Sequence, residues 1–257
     1  MQQEVDVRDQ LLAGLSDICT AERSFVDQSK LFCFKVPGDK AEDVWMRLRE
    51  NDDRGFWPVI LGTEDDCDEL VYAANNPEEL GFTSTEDILK KALDIDATEW
   101  FSQRYGKEPE FFQTDESQPD TDLSPLNAIA KKYQFYSLVD LQKEYHPEIH
   151  LALIPTRNVW EVPAHLLYGG WNDCPMPEEH TAVFKYWHEN YGAEVFSIAG
   201  DVVEMHVTRP PKTRGEAMDL AREQFIYCSD IVHQGTRTIH ALADEIIDSS
   251  GWFFWWD

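Results

Sequence analysis

The sequence predicts an α+β fold: a mixed β-sheet flanked by helices, closed by a C-terminal hairpin-helix-strand unit. Three observations predict it. Short apolar runs of strand length alternate with segments of helical periodicity. A two-residue turn, Gly200-Asp201, joins two alternating segments. The last seven residues, Gly251-Trp-Phe-Phe-Trp-Trp-Asp257, hold five aromatics, which must be buried somewhere and so predict a core strand.

In chain order, Val7, Leu11, Leu12, Leu15 and Ile18 stand at helical spacing and predict a helix over 3–19. Leu31-Phe-Cys-Phe-Lys-Val36 predicts a strand. Asp39, with Glu42 three residues on, predicts an N-cap for a helix through Val44, Trp45 and Leu48. Trp57-Pro-Val-Ile-Leu61 predicts a short buried strand, and a β-α-β order favours a right-handed parallel pair if the two strands are neighbours. Residues 63–80 are expected to form an acidic loop. Thr85 to Tyr105 is expected to be one helix carrying Ile88, Leu89, Leu93, Trp100 and Phe101. Residues 106–126, rich in Pro and acidic side chains, read as a flexible linker between an N-terminal α/β region (1–105) and a C-terminal α+β domain (127–257).

In the second region Ile149-His-Leu-Ala-Leu-Ile154 predicts a strand. Pro177 opens a helix that ends at Gly192. Pairing outward from Gly200-Asp201 gives Ala199–Val202, Ile198–Val203, Ser197–Glu204, Phe196–Met205 and Val195–His206. This predicts one apolar face and one polar face holding Ser197, Glu204 and His206. Thr213 and Glu216 form a capping box ahead of a stripe of Ala217, Leu220, Ala221, Phe225 and Cys228, and a last helix runs over roughly 238–247.

Several separated motifs in this half fall in order: Gly169-Gly-Trp-Asn-Asp-Cys-Pro175, Tyr186-Trp-His-Glu-Asn-Tyr-Gly-Ala-Glu194, Arg209-Pro-Pro211, Ala221-Arg-Glu-Gln-Phe225, Cys228-Ser-Asp-Ile-Val232, Gln234-Gly-Thr236 and the aromatic terminus. Together they resemble the bacterial domain-of-unknown-function family 4253 over about residues 150–257, with Gly55-Phe-Trp-Pro-Val-Ile-Leu61 as a further upstream element. That family is functionally uncharacterised, so the resemblance implies no catalytic residue, cofactor or substrate.

The formal net charge is −27, with 30 acidic and 12 basic residues in 1–126 and 19 and 10 in 127–257. Such a chain repels nucleic acid and anionic membrane and suits a basic protein partner, although a merely solvated acidic surface explains the same charge. No apolar run is long enough to cross a membrane, and Met1-Gln-Gln-Glu-Val-Asp is no secretory leader. Five scattered cysteines (19, 33, 67, 174, 228) without a CxxC pair suit reduced thiols in a cytoplasmic protein.

The loop at Gly169–Pro175 is the most function-like. Trp171, Asn172 and Asp173, followed by Glu178, Glu179 and His180 at a helix start, are the candidate binding residues. The alternative is a turn whose Trp fills the core and whose acids cap the helix. Cys174 with His180 invites a thiol nucleophile, but no cysteine-hydrolase signature surrounds them. Neither His146 with His150 nor Glu64-Asp-Asp-Cys-Asp-Glu69 has metal-ligand spacing, and phosphate and dinucleotide fingerprints are missing, so no metal, cofactor or catalytic residue is expected. The leading expectation is a cytoplasmic bacterial, non-enzymatic, immunity-like or regulatory interaction protein. The rivals are a small hydrolase built on Asp173, Cys174, Glu178 and His180, and a structural domain with no dedicated partner.

Overall fold

The structure of the chain, a computed structural model, describes residues 22–24, 32–50, 55–75, 84–106 and 133–257. The helix expected over 3–19 lies outside these residues, as does the linker expected over 106–126 apart from Gly106. The described residues build one seven-stranded mixed sheet in an α+β fold. In chain order the strands are β1 (Glu22–Ser24), β2 (Phe32–Val36), β3 (Trp57–Gly62), β4 (Ile149–Ile154), β5 (Ala193–Ala199), β6 (Val202–Val207) and β7 (Gly251–Trp255). Across the sheet they run β1-β2-β4-β3-β5-β6-β7. Every neighbouring pair is antiparallel except β3 and β5.

Helix α1 (Gly38–Arg49) connects β2 to β3, but the expected adjacent parallel pair does not form. β4 lies between the two strands, antiparallel to both. All six of its residues are buried, and a strand apolar on both faces is most stable inside a sheet rather than at its edge. Regions distant in sequence thereby interleave in one sheet.

Both faces of the sheet are covered. Val59 and Leu61 of β3, Ala152 and Ile154 of β4, and Trp252 and Phe254 of β7 point into the larger core. Helices α2 (Glu64–Asn75), α4 (Ala97–Tyr105), α6 (Pro177–Tyr191), α7 (Arg214–Tyr227) and α8 (Ile239–Ile246) close that core, together with the short α5 (Val162–Leu166). Ile60, Leu151, Leu153 and Phe34 point the other way, against Val44 and Trp45 of α1 and Phe135 and Leu138 beside a 3-10 turn (Tyr136–Leu138). The period of two along each strand divides the apolar residues between the two cores.

The hairpin turns at Gly200 (φ +54°) with its first three pairs as expected: Ala199 opposite Val202, Ile198 opposite Val203 and Ser197 opposite Glu204. Beyond them a bulge at Phe196 shifts the register, so Val195 faces Met205 and Glu194 faces His206. Val195 joins the larger core, while Phe196 turns to the second face and stacks on Phe135 with ring centroids 3.5 Å apart. The face expected to be polar is therefore covered. Glu204 is fully buried and accepts hydrogen bonds from Tyr133 Oη (3.0 Å), Tyr136 N (2.7 Å) and Ser137 N (2.9 Å). Burial raises its pKa, against those hydrogen bonds. Glu194 instead accepts from both Arg49 Nε and Nη2, with His206 Nδ1 at 3.2 Å. Burial opposes its charge, but these partners outweigh it and hold its pKa below the ordinary carboxylate value.

Three further expectations are corrected. α1 begins at Gly38 without an Asp39 cap, because Gly38 N donates to His146 O at 3.0 Å and the site is too close for any side chain. Residues 64–75 form α2 rather than loop. Its acidic first turn suits a helix N-terminus, Asp66 accepts from Thr63 N and Oγ1, and Cys67 and Leu70 are buried. The segment Thr85 to Tyr105 is two helices, α3 (Thr85–Ala92) and α4, broken where Asp96 caps α4 through Thr98 N and Glu99 N. Leu93, at the break, is 82% exposed.

The other helix boundaries agree with the sequence reading. α6 runs from Pro177 to a left-handed Gly192, Thr213 and Glu216 form the capping box of α7, and Thr238 caps α8. No described helix is long and apolar enough to cross a membrane.

In β7 the aromatics alternate as expected: Trp252 and Phe254, followed by Trp256, are buried, while Phe253 and Trp255 are half-buried. Burying each large aromatic is worth roughly 2–3 kcal/mol, and a domain's total stability is typically about 5–15 kcal/mol. Deleting residues 252–257 is predicted to abolish cooperative unfolding in thermal melts. A truncated chain that melts cooperatively at the parent temperature contradicts this assignment.

Candidate functional site

Motifs far apart in sequence meet at one end of the sheet. The glycine pair lets the loop after α5 fold tightly: Gly169 has φ +117°, and a Cβ there would lie 2.1 Å from Pro175 O and 2.8 Å from the His180 ring. Gly170 N donates to Pro175 O, Cys174 N donates to Trp171 O, and Asn172 adopts a left-handed conformation (φ +47°) at the turn. Asn172 Nδ2 then donates to Asp257 O at 2.7 Å. Asp257 N donates to Asp230 Oδ2, and Gln234 Nε2 donates to Asp230 Oδ1. Asp230 and Gln234 belong to a π-helical turn (Ile231–Thr236) and the residue before it, a geometry often found at functional positions. On the other side, Trp255 Nε1 donates to Asp201 Oδ2 and Trp256 N to Asp201 O, so β7 also fixes the hairpin turn.

A cleft of about 360 Å³ opens beside this junction. Its walls are Glu69, Leu70 and Tyr72 of α2, Leu167, Tyr168, Gly169 and Trp171 of the loop, and Gly200 and Asp201 of the hairpin turn. Trp171 stands edge-on to Tyr168, with ring centroids 4.9 Å apart. Apolar and aromatic groups form most of the wall, and the charged residues on it, Glu69 and Asp201, are both acidic. α2 carries Glu64, Asp65, Asp66, Asp68 and Glu69 and no basic residue. A second cleft, about 370 Å³, lies between α3, α6 and Trp160; its charges are of both signs (Glu86, Lys90, Glu161, Lys185), and no motif residue lines it.

Beneath the first cleft runs a buried polar chain. Cys174 Sγ lies 3.4 Å from His180 Nε2, and His180 Nδ1 lies 2.6 Å from Tyr227 Oη. His180 is fully buried, and burial, with Arg104 second, lowers its pKa to about 3. The Cys174 thiol is pushed well above its ordinary value by burial, and Cys228 is pushed up to about 12 by the same cause. A neutral imidazole has one donor and one acceptor nitrogen, so it satisfies one partner on each side without a net charge. Thiolate chemistry needs the opposite shift and an exposed sulfur.

Of the sequence candidates, Trp171 lines the cleft. Asn172 ties the loop to Asp257, and Asp173 lies exposed with its carbonyl accepting from Arg104 Nη2. Glu179 caps α6 through Met176 N and accepts from Trp100 Nε1 at 2.7 Å, which locks α4 onto α6. Glu178 stands 3.8 Å from Lys91. His180 is buried behind the loop. Sequence reasoning missed Glu69, Tyr72, Tyr168 and Asp201. The signal for the first two was the buried Cys67–Leu70 spacing inside an acidic run. Among the described residues, no group of three His, Cys, Asp or Glu side chains is arranged to hold a metal ion.

Residues 150–257 match the model of a family described as Domain of unknown function (DUF4253), and every motif that meets at the junction falls within that span. No curated protein and no solved structure matches the chain.

His180 predicts a pH dependence. Its folded pKa lies below the 6.5 of a free imidazole, so between the two values the unfolded chain binds more protons. Stability is full above about pH 6.5 and is lost as pH falls through that window, at up to about 1.4 kcal/mol per pH unit. Urea unfolding between pH 4 and 7 is predicted to show a steeper acid loss in the parent than in His180→Gln; parallel curves contradict the assignment. The same burial predicts that Cys174 and Cys228 resist maleimide at pH 7.5 until the chain unfolds, as read by mass spectrometry. Rapid labelling of folded protein contradicts it.

Proposed function

We propose that this chain is a cytoplasmic bacterial, non-enzymatic interaction protein, immunity-like or regulatory, that uses the acidic aromatic cleft to bind a basic protein. One observation carries the reading: the cleft is concave and aromatic, its charged wall residues are both acidic, and α2 extends that acidity beyond it. Apolar area with few polar groups is the common composition of a binding site, and an acidic rim raises the encounter rate of a cationic partner. The formal net charge of −27 adds a long-range field of the same sign. Cys67, Cys174 and Cys228 are buried free thiols, in keeping with a reducing compartment.

The hydrolase alternative has the Cys174–His180 contact in its favour. Against it stand the burial of both groups and pKa shifts that keep both neutral. Asp173 and Glu178 do not join them, since Asp173 is exposed and Glu178 faces Lys91.

The test is capture of partners from lysate of the source organism at about 50 and 200 mM salt, between which the Debye length falls from roughly 14 to 7 Å. The prediction is a basic protein retained at low salt and released at high salt, and lost from the double variant Asp65→Lys, Glu69→Lys. Turnover of an ester or amide substrate that Cys174→Ala abolishes would overturn the reading.

A further inference from the structure

One side chain of the cleft wall carries a polar group that the fold leaves unpaired. Tyr168 is 2% exposed and lines the cleft, yet its hydroxyl has no hydrogen-bond partner. A buried hydroxyl without a partner costs about 1–3 kcal/mol, and a ligand that donates to it recovers that cost. After burial and Cys174, Asp201 across the cleft is among the groups that push the Tyr168 pKa well above the ordinary phenol value. Asp201 has one oxygen engaged by Trp255 Nε1, while Oδ1 is available to a ligand, and Glu69 stands exposed at the rim. Trp171 is half-buried and Tyr72 is 58% exposed, so two flat faces flank the opening.

We infer that the cleft is a receptor for the guanidinium of a single arginine side chain presented by the basic partner. This rests on the binding reading above and names its chemistry. A guanidinium is planar, always charged and carries several N–H donors in a fixed fork. It stacks on an indole face such as that of Trp171 while donating to carboxylates of Asp201 and Glu69, and it donates to the Tyr168 oxygen once a shift of that ring uncovers the hydroxyl, which is sealed in this structure. An ammonium has neither the plane nor the fork. A protein side chain is favoured over a free small cation because the acidity does not stop at the cleft. Asp65 and further carboxylates continue along α2, where only a larger basic ligand reaches them.

The experiment is a titration of the full chain, followed by tryptophan fluorescence, with three blocked nonapeptides differing only at the centre: arginine, lysine or citrulline, flanked by lysines. N-acetyl-arginine amide is run as a fourth ligand. The expected result is arginine binding at least tenfold tighter than lysine or citrulline, and the peptide at least tenfold tighter than the capped amino acid.

Tyr168→Phe separates ligand recognition from structure. It is expected to unfold in urea at the parent midpoint or above, while arginine affinity falls at least fivefold. Equal, salt-sensitive binding of the arginine, lysine and citrulline peptides overturns the guanidinium assignment and leaves the acidic binder standing. Equal binding of peptide and capped arginine overturns the protein side-chain source. Loss of stability in Tyr168→Phe without loss of affinity overturns the role of the hydroxyl, and no binding by any ligand overturns the inference outright.

Discussion

The fully buried phenol of Tyr227 is the point on which this architecture turns. Its ring meets Trp100 from α4, Phe184 and Trp187 from α6, Phe254 from β7 and Trp256 beyond it. Its hydroxyl lies 2.6 Å from His180 Nδ1, whose other nitrogen reaches Cys174 in the loop. One side chain thus positions two helices, the aromatic strand and the floor of the cleft. Burial drives each neutral group's pKa away from charge, so the chain of hydrogen bonds stays uncharged where desolvating an ion would be costly. Cys174 and His180 suggest a thiol nucleophile in sequence; in space they lie with Tyr227 in one buried chain of polar contacts.

Much of the local structure is legible in the residues. Pro177 and Gly192 bound α6, Thr213 with Glu216 caps α7, and alternation along Trp252–Trp256 separates buried from half-buried rings. These features depend on neighbours a few residues apart. What the pattern hides is non-local. Val195 and Phe196 are both apolar, so a bulge at Phe196 leaves no mark in the hydrophobic pattern, though it moves Phe196 to the opposite core. Nothing near β4 announces that it lies between β2 and β3. The acidic run at 64–69 masks a helix whose buried side includes Cys67 and Leu70. Leu93, apolar and in phase, sits in a helix break and faces solvent.

The candidate site shows the same division. Trp171 was visible because a Trp beside two glycines in a loop is unusual. Tyr168, three positions before it, gives no sign that its hydroxyl is buried unpaired, and Glu69, Tyr72 and Asp201 reach the cleft from elements far apart in sequence. Charge also takes two forms here. Glu204 and Glu194 are buried carboxylates fixed by hydrogen bonds or by Arg49, and they secure the second face of the sheet. Glu69 and Asp65 remain solvated, where they cost little and project a field outward.

The two buried tyrosines near the cleft differ in one respect: the Tyr227 hydroxyl is hydrogen-bonded to His180, whereas the Tyr168 hydroxyl has no partner. Urea unfolding of Tyr227→Phe tests this most directly, since the substitution keeps the ring and removes only the hydroxyl paired with His180. The predicted result is a loss of about 1–3 kcal/mol, because His180 is left with an unsatisfied buried nitrogen. A Tyr227→Phe chain as stable as the parent would contradict the claim that this hydrogen-bonded chain organises the structure.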